Sequence, residues 1–290
     1  MRSYNTIQDG TAEHLRSRLS DLSDRASRGE TVATPFLTPR EVRLCRQILS
    51  ARLAAGTAVL VGGYPDAERM RAVLLPDYME GMCDPDALAA DPVAILRDAG
   101  LTDEADTVRD AAVLLSVRGS GYRTLSHRDF LGSVLGLGLD RDAIGDICVV
   151  GGREEPSPAD PPHAYVVTGE KVAAFLLQHL EKVATDTVEV TTAVGDNARP
   201  VRTLESISDT VASPRLDCVV AALCNLSRDR AKTAIRQGLV ELDYEPIADC
   251  DETVDPPAIL SVRGFGKFAV QSFDGNTRKG RLRLRAGKYI

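Results

Sequence analysis

The chain has 290 residues, of which 43% are hydrophobic and 27% charged, a composition typical of folded proteins with buried cores. No stretch approaches the roughly 20 consecutive apolar residues that a transmembrane helix requires, and the N-terminal residues lack the apolar segment of a secretory signal. We therefore expect a cytoplasmic protein of two or three domains that does not bind membranes.

The six cysteines and four histidines are scattered, and their spacing does not match a metal-binding motif. We interpret the cysteines as reduced thiols. The glycines likewise do not form a dinucleotide-binding fingerprint after a strand. The sequence thus predicts neither a metal nor a cofactor.

The net charge of −7 is distributed unevenly along the chain. Residues 1–213 contain 22 basic and 32 acidic residues, whereas residues 214–290 contain 13 basic and 10 acidic residues. Phosphate attraction depends on the local field, so this asymmetry predicts an anionic partner for the C-terminal end. The acidic part is compatible either with a solvated surface or with a site for a protein partner. We expect the chain to be a monomer.

The N-terminal part is predicted to be a helical-rich domain over residues 1–105. Helical spacing of apolar residues predicts helices over 11–28 and 38–52. Apolar runs predict strands over 57–61 and 72–75, with a short helix over 66–70 between them. The segment over 84–101, which two prolines interrupt, is predicted to be a helix pair or a linker.

The middle part, residues 106–195, has a more specific order of predicted elements. Strand, helix, strand, strand, helix and strand follow one another, which is the ferredoxin-like or RRM-like order. An RRM that stacks bases needs aromatic side chains on its central strands, and only Tyr165 is available there. We expect this sheet to be a scaffold or a contact surface for a partner, not a platform on which bases stack.

A polar cluster, His127, Arg128 and Asp129, begins the first helix of the middle part. One interpretation is a helix cap whose side chains form salt bridges, and the other is a surface that contacts RNA. The sequence leaves both interpretations open.

The C-terminal part, residues 213–290, is predicted to contain two helices followed by a small sheet. Ser227 can cap the second helix and Gly238 can end it. Arg228, Lys232 and Arg236 lie four residues apart and therefore share one face of that helix. In the closing strand, basic residues 281, 283 and 285 alternate with apolar residues, so the arginines should point to one face of the sheet. Residues 196–212 are predicted to be a linker, and the sequence of this segment also allows a connecting strand. Taken together, the predicted elements place the chain in the α+β class.

Two sets of motifs resemble known families. Arg215-Leu-Asp217, with Ser227-Arg228-x-x-Ala231-x-x-x-Ile235-x-x-Gly238-x-Val240, resembles the S4 RNA-binding domain. Ser126-His-Arg-Asp-Phe-Leu-Gly-Ser, Ile144-Gly-Asp-Ile, Gly62-Gly63-Tyr64, Ala67-Glu-Arg and Ser261-Val-Arg-Gly-Phe-Gly-Lys-Phe are similar to the YlmH family. The chain departs from the usual S4 pattern at Asp255-Pro256-Pro257, where a Gly-Asp turn is common.

The resemblance implies a non-enzymatic protein that binds ribosomal RNA and tRNA at the large ribosomal subunit. Family members act in quality control of stalled subunits, some are linked to cell division, and cyanobacterial relatives are called photosystem II S4 domain proteins. The implied RNA-binding residues are Arg215, Ser227, Arg228, Lys232, Arg236, Arg263, Lys267, Arg278, Lys279, Arg281, Arg283 and Arg285.

Two alternatives stay open. S4 domains also occur in RNA-modifying enzymes, and Arg215-Leu-Asp217 superficially resembles the catalytic string of pseudouridine synthases. In this chain, however, the string opens the predicted RNA-binding helix itself, and we predict no catalytic residues. The other alternative is an adaptor that is tethered to RNA and linked to cell division.

Overall fold

Two units make up the chain: unit 1, Met1–Val201, and unit 2, Arg202–Ile290. The structure is a computed structural model, and it describes residues 2–150, 163–193, 200, 204–276 and 280–289. Helices and antiparallel sheets occur in both units, which confirms the predicted α+β class. Across these described ranges, no helix is long and apolar enough to cross a membrane.

The N-terminal part of unit 1 consists of short helices around a small antiparallel sheet with strand order β1-β3-β2. Thr38 begins α2 with a capping box, and Asp84 and Asp91 cap α4 and α5, each followed by a proline at the first helical position. The elements are α1 (Arg2–Ser27), β1 (Val32–Ala33), α2 (Pro39–Ile48), α3 (Ser50–Ala54), β2 (Ala58–Val61), β3 (Arg71–Leu74), α4 (Pro85–Ala90), α5 (Pro92–Asp98) and α6 (Thr102–Ala111).

Two details differ from the sequence-based expectation. The short helix predicted over 66–70 is absent from the structure, because the backbone N–H groups of Glu68 and Arg69 donate to the carboxylate of Asp146 instead. The expected boundary between residues 105 and 106 falls inside α6, whose Ala105, Val108 and Ala111 pack into the core beside β2 and β3. Helix α6 therefore belongs to the N-terminal part, and the following strand begins only at residue 113.

The middle part of unit 1 has the predicted order of strand, helix, strand, strand, helix and strand. Its antiparallel sheet has the order β5-β6-β4-β8-β7, and β7 is a short additional strand. The elements are β4 (Val113–Gly119), α7 (His127–Gly136), β5 (Ile144–Val150), β6 (His163–Thr168), α8 (Glu170–His179), β7 (Lys182–Val183) and β8 (Asp186–Thr192).

The two faces of this sheet are covered differently. On one face, Leu115 and Val166 pack with Phe130 of α7 and with residues of α8. On the opposite face, Leu114 and Val167 form a cluster with Phe36 and Tyr64 from the N-terminal part. The N-terminal part therefore covers a portion of the face that an RRM-like sheet would leave open.

Unit 2 is a twisted antiparallel sheet with two helices packed on one face, and its strand order is β11-β10-β12-β13-β14-β9. Strand β9 lies inside the segment predicted to be a linker, and it pairs along its whole length with the closing strand β14. The elements are β9 (Leu204–Val211), α9 (Leu216–Leu223), α10 (Arg228–Arg236), β10 (Val240–Leu242), β11 (Glu245–Pro246), β12 (Ala258–Val262), β13 (Gly266–Asn276) and β14 (Leu282–Tyr289).

Candidate nucleic-acid interface

The carboxylate of Asp217, in the first turn of α9, holds a group of cations in unit 2. Its side chain is 0% exposed. Arg215 donates to both of its oxygens at 3.2 Å, and the Nε of Arg228 donates to Oδ2 at 3.2 Å. The ammonium of Lys232 lies 3.8 Å from the same oxygen. We call Arg215, Asp217, Arg228 and Lys232 the Asp217 cluster.

The electrostatics of this cluster favour an ionised carboxylate. Burial acts to raise the pKa of Asp217, but hydrogen bonds from Arg215 and Arg228 outweigh burial, and the pKa lies below its ordinary value. Arg215 also pairs with the exposed Asp251. Three cations thus pair with two carboxylates, which leaves one positive charge among these five side chains at a partly exposed surface that phosphate groups can approach.

Helix α10 presents these cations because its other face is buried. The hydroxyl of Ser227 caps the helix by accepting from the backbone N–H of Arg230 at 3.3 Å. Ala231, Ala234 and Ile235 are buried in the core of unit 2. Ser227 therefore contributes by capping the helix that carries the cations. Arg236, at the last turn, is exposed, and within the described part of the chain it makes no ion pair.

The hairpin between β12 and β13 contains two further predicted residues, Arg263 and Lys267. Arg263 is exposed, whereas Lys267 is partly buried. The ammonium of Lys267 lies 4.7 Å from the ring centre of Tyr244 and 4.9 Å from that of Tyr289. It also donates to the hydroxyl of Tyr244 at 3.3 Å. Cation–π contacts thus already engage Lys267 inside unit 2.

Strand β14 and Arg281, the residue before it, show the alternation that the sequence indicates. Arg281, Arg283 and Arg285 are exposed, while Leu284 and Ala286 lie in the core beneath α9 and α10. The arginines therefore point away from the helices. Arg285 pairs with Asp274 at 2.5 Å, and Arg281 donates to a backbone oxygen, that of Thr210.

The predicted RNA-binding residues of unit 2 consequently do not form one continuous surface. Arg215, Arg228 and Lys232 come together around Asp217 on the helical side, whereas the arginines of β14 lie on the opposite face of the sheet. Helical spacing singled out Arg228 and Lys232, and the S4 resemblance singled out Arg215, but neither indicated Asp217 as their common partner. Arg278 and Lys279 lie outside the described residues.

In the middle part of unit 1, the polar cluster at the start of α7 divides into two roles. Asp129 forms a capping box with Ser126, in which the Ser126 hydroxyl accepts from the Asp129 backbone N–H at 3.4 Å and the Asp129 carboxylate accepts from the Ser126 backbone N–H at 2.8 Å. The Ser126 hydroxyl also donates to this carboxylate at 2.6 Å. The hydrogen bond from Ser126 lowers the pKa of Asp129. His127 and Arg128 are exposed. Asp129 therefore has a structural role in the helix cap.

Tyr165 lies on the sheet face that the N-terminal part covers. It is partly buried and packs against the cluster of Phe36, Tyr64, Leu114 and Val167. A base would have to displace these contacts to stack fully on the Tyr165 ring.

For the described residues, we find no group of histidine, cysteine and acidic side chains that could hold a metal ion.

Comparisons with known proteins give consistent matches. The protein-family model "YlmH, N-terminal" matches residues 12–79, and the model "Putative RNA-binding domain in YlmH" matches residues 113–195. The "Ribosome-associated protein quality control protein P2" of Bacillus subtilis (strain 168) is 29% identical over 254 residues, which are 87% of this chain and 84% of that protein. A solved structure, "Cell division protein ylmH from Streptococcus pneumoniae", matches with a TM-score of 0.43 and 17% identity, over 64% of this chain and 91% of that chain. Two models of one family thus match more than half of the residues, and the chain belongs to the YlmH family.

Proposed function

We propose that this protein binds structured RNA of the large ribosomal subunit, including tRNA held there, and acts in ribosome-associated quality control without catalysing a reaction. The Asp217 cluster is the observation that carries this proposal, because it holds three cations at the surface of a segment that resembles an S4 domain. The family model for residues 113–195 and the name of the Bacillus subtilis relative support the same role.

The physical basis is attraction to phosphates. Arg215 and Lys232 are about one third exposed and Arg228 about half exposed, so each can reach a phosphate while Asp217 limits its rotation. Holding the cations in place reduces the side-chain entropy lost on binding. Contacts of this kind fix orientation without reading base sequence. Affinity should therefore fall steeply as salt concentration rises.

The position of Asp217 argues against the pseudouridine synthase alternative. A catalytic carboxylate must reach its substrate, whereas Asp217 is 0% exposed and its oxygens are occupied by Arg215 and Arg228. This geometry supports a structural role for the carboxylate. The corresponding test is modified-nucleoside analysis of ribosomal RNA incubated with the protein, for which we expect no new modification.

Co-sedimentation with purified large subunits tests the binding proposal. We expect the wild-type chain to co-sediment at low salt and to be released as salt rises. The double variant Arg228→Gln, Lys232→Gln should be released at lower salt. Arg25→Gln, Arg97→Gln is the matched control, because it removes two exposed, ion-paired arginines from unit 1. If the first variant is folded and co-sediments like the wild type, the helical side of unit 2 is not the RNA site.

A comparison of particles addresses the role in quality control. We expect stronger retention on large subunits that carry peptidyl-tRNA than on empty subunits, because tRNA adds phosphates within reach. Equal retention on both particles would mean that the protein binds ribosomal RNA but not the tRNA.

A protein partner for the acidic part of the chain stays a separate prediction, which pull-down with residues 1–201 would test.

A further inference from the structure

The loop between β4 and α7, residues 120–126, presents an exposed aromatic side chain. Tyr122 is 75% exposed. An aromatic ring in this position leaves a large apolar surface in water without contributing to the core. We call residues 118–128, which include this loop and its flanks, the Tyr122 segment.

A buried carboxylate fixes the conformation of the loop. Asp186, at the start of β8, is 6% exposed and accepts hydrogen bonds from both the backbone N–H and the hydroxyl of Ser120. The Ser120 oxygen in turn accepts from the backbone N–H of Tyr122 at 3.3 Å. Leu125 is 4% exposed and anchors the other end of the loop in the core. Tyr122 therefore projects from a loop that is ordered at both ends.

The residues around Tyr122 are cationic. Arg123 follows it directly, and both Arg118 and Arg128 belong to the same segment and are exposed. In the parts of the chain that the structure describes, these three arginines make no ion pair. Arg118 lies opposite Glu189 in the strand register, which reduces its local charge. The carboxylate of Asp129 is engaged in the α7 cap, so Arg123 and Arg128 dominate the local charge.

We propose that the Tyr122 segment binds an unpaired nucleotide of RNA, with the ring of Tyr122 stacked on the base and Arg123 and Arg128 close to the flanking phosphates. This inference rests on the proposed function and adds a second RNA contact, in unit 1, of a different chemical kind. Stacking on an exposed ring with adjacent cations is the usual way in which proteins hold single strands. The bases of a duplex are already stacked, so their faces are not accessible to the ring.

Charge favours RNA as the partner. Arg123 and Arg128, in the same segment as the exposed ring, can attract phosphates while the ring stacks on a base. Tyr78 illustrates the contrast, because it is 62% exposed but bonds to Glu104 and lies beside Asp77 and Glu80. Tyr78 thus provides a matched control, an exposed tyrosine in acidic surroundings.

The test measures binding of the full chain to two short RNAs, a single strand and a blunt duplex. A fluorescent adenine analogue in the single strand, whose emission is quenched on stacking, reports the contact directly. For Tyr122→Ala we expect an affinity loss of about 5- to 150-fold on the single strand, with the quenching abolished and duplex binding unchanged. Tyr122→Phe keeps the ring and should bind like the wild type, as should Tyr78→Ala.

The outcomes separate this inference from the proposed function. If Tyr122→Ala binds both RNAs like the wild type, the Tyr122 segment is not a nucleotide site, and its ring is left as a candidate protein contact. An equal loss on single strand and duplex would also overturn the stacking proposal. In either case the Asp217 cluster could still bind large subunits, whereas failure of the wild type to bind any RNA would overturn both proposals.

Discussion

The hydroxyl of Tyr64 donates a hydrogen bond of 2.7 Å to the carboxylate of Asp146, joining two short motifs that lie 82 residues apart. The same carboxylate accepts from the backbone N–H groups of Glu68 and Arg69 at 2.7 and 3.1 Å. The guanidinium of Arg69, also buried, donates to the backbone oxygens of Ile144 and Phe36. These contacts fix the N-terminal part of unit 1 against the sheet of the middle part.

Asp146→Ala should destabilise unit 1. The substitution leaves several buried donors without their acceptor, and each unsatisfied buried group costs about 1–3 kcal/mol. We expect the free energy of unfolding to fall by at least about 2 kcal/mol. Urea denaturation followed by circular dichroism measures the loss, and amide exchange assigns it to unit 1. Asp140→Ala, at an exposed carboxylate in the connection that precedes β5, should change little, and equal effects of the two substitutions would contradict the interpretation.

Gly145→Ala tests how tightly this junction is packed. A Cβ at residue 145 would lie 2.8 Å from the ring of Phe36 and 3.0 Å from Val167. The guanidinium of Arg71 covers that ring at 4.5 Å, which limits its movement. We expect a loss of about 1–3 kcal/mol in the free energy of unfolding.

Gly132→Ala is the matched control for this substitution. A Cβ there meets nothing within 4 Å, and residue 132 lies in the interior of α7. The replacement should therefore stabilise the helix by about 0.5–1 kcal/mol. Thermal unfolding compares the two variants, and a destabilised Gly132→Ala would show that the difference does not come from packing.

Local signals in the sequence explain why several elements were predictable. Capping residues before Pro39 and Arg228, with regular spacing of apolar residues after them, identified α2 and α10. Alternation in β14 likewise indicated which side chains face the core. These patterns depend on residues close together in the chain, so they can be read without knowledge of the tertiary structure.

The contacts that sequence reasoning missed are long-range. Nothing near Asp146 in the sequence indicates that Tyr64 and Arg69 bond to it. The segment over 66–70 has helical composition, but tertiary hydrogen bonds determine its backbone. Asp217 resembles a catalytic residue in its string, and only its burial among three cations reveals its role. The sequence allowed a connecting strand where β9 lies, but it did not indicate the pairing of β9 with β14, a partner about 80 residues later.

Tyr165→Ala should leave RNA affinity nearly unchanged. The ring is partly buried against residues of the N-terminal part, so its face is not free for a base. A stacking residue would contribute about 1–3 kcal/mol to binding. Affinity for a short single-stranded RNA measures this contribution. A loss in that range by a folded Tyr165→Ala protein would mean that the sheet is a stacking platform after all.

Asp217→Asn should reduce the stability of unit 2 at neutral pH. It removes the charge that holds Arg215, Arg228 and Lys232, and hydrogen bonds to charged groups contribute about 1.5–3 kcal/mol each. We expect a net loss of about 1–3 kcal/mol, because the partly exposed cations can regain water. Urea denaturation measures the loss, and Asp251→Asn, at a carboxylate that is 66% exposed, should cost at most about 1 kcal/mol.

The pH dependence of stability tests the same ion cluster. The pKa of Asp217 in the folded state lies below the ordinary value of 3.8. Its contribution is therefore fully present above pH 3.8 and is lost as the pH falls through the lower folded value. The difference in stability between the wild type and Asp217→Asn should shrink in that acidic range. A difference that stays constant down to the lowest pH would show that charge is not its origin.

Arg236→Gln and Arg230→Gln separate the predicted RNA-binding face of α10 from the rest of its surface. Both arginines are exposed, and neither makes an ion pair within the described residues, so stability should change by less than about 0.5 kcal/mol in each variant. Arg236 lies on the face of Arg228 and Lys232, whereas Arg230 lies about 200° away from them around the helix.

Neutralising substitutions are preferable to charge reversal on this helix, because a glutamate at residue 228 or 232 would face the buried Asp217 carboxylate and destabilise the fold.

The measurement is the affinity for large ribosomal subunits as a function of salt concentration. If Arg236 contacts a phosphate, Arg236→Gln lowers the slope of log affinity against log salt by about one, without changing the preference among RNA sequences. Arg230→Gln should leave that slope unchanged, since its side chain points away from the shared face. Identical slopes for the wild type and Arg236→Gln would exclude Arg236 from the interface. A lower slope for Arg230→Gln alone would show that RNA contacts the opposite face of α10, and that the Asp217 cluster holds the fold together without binding RNA.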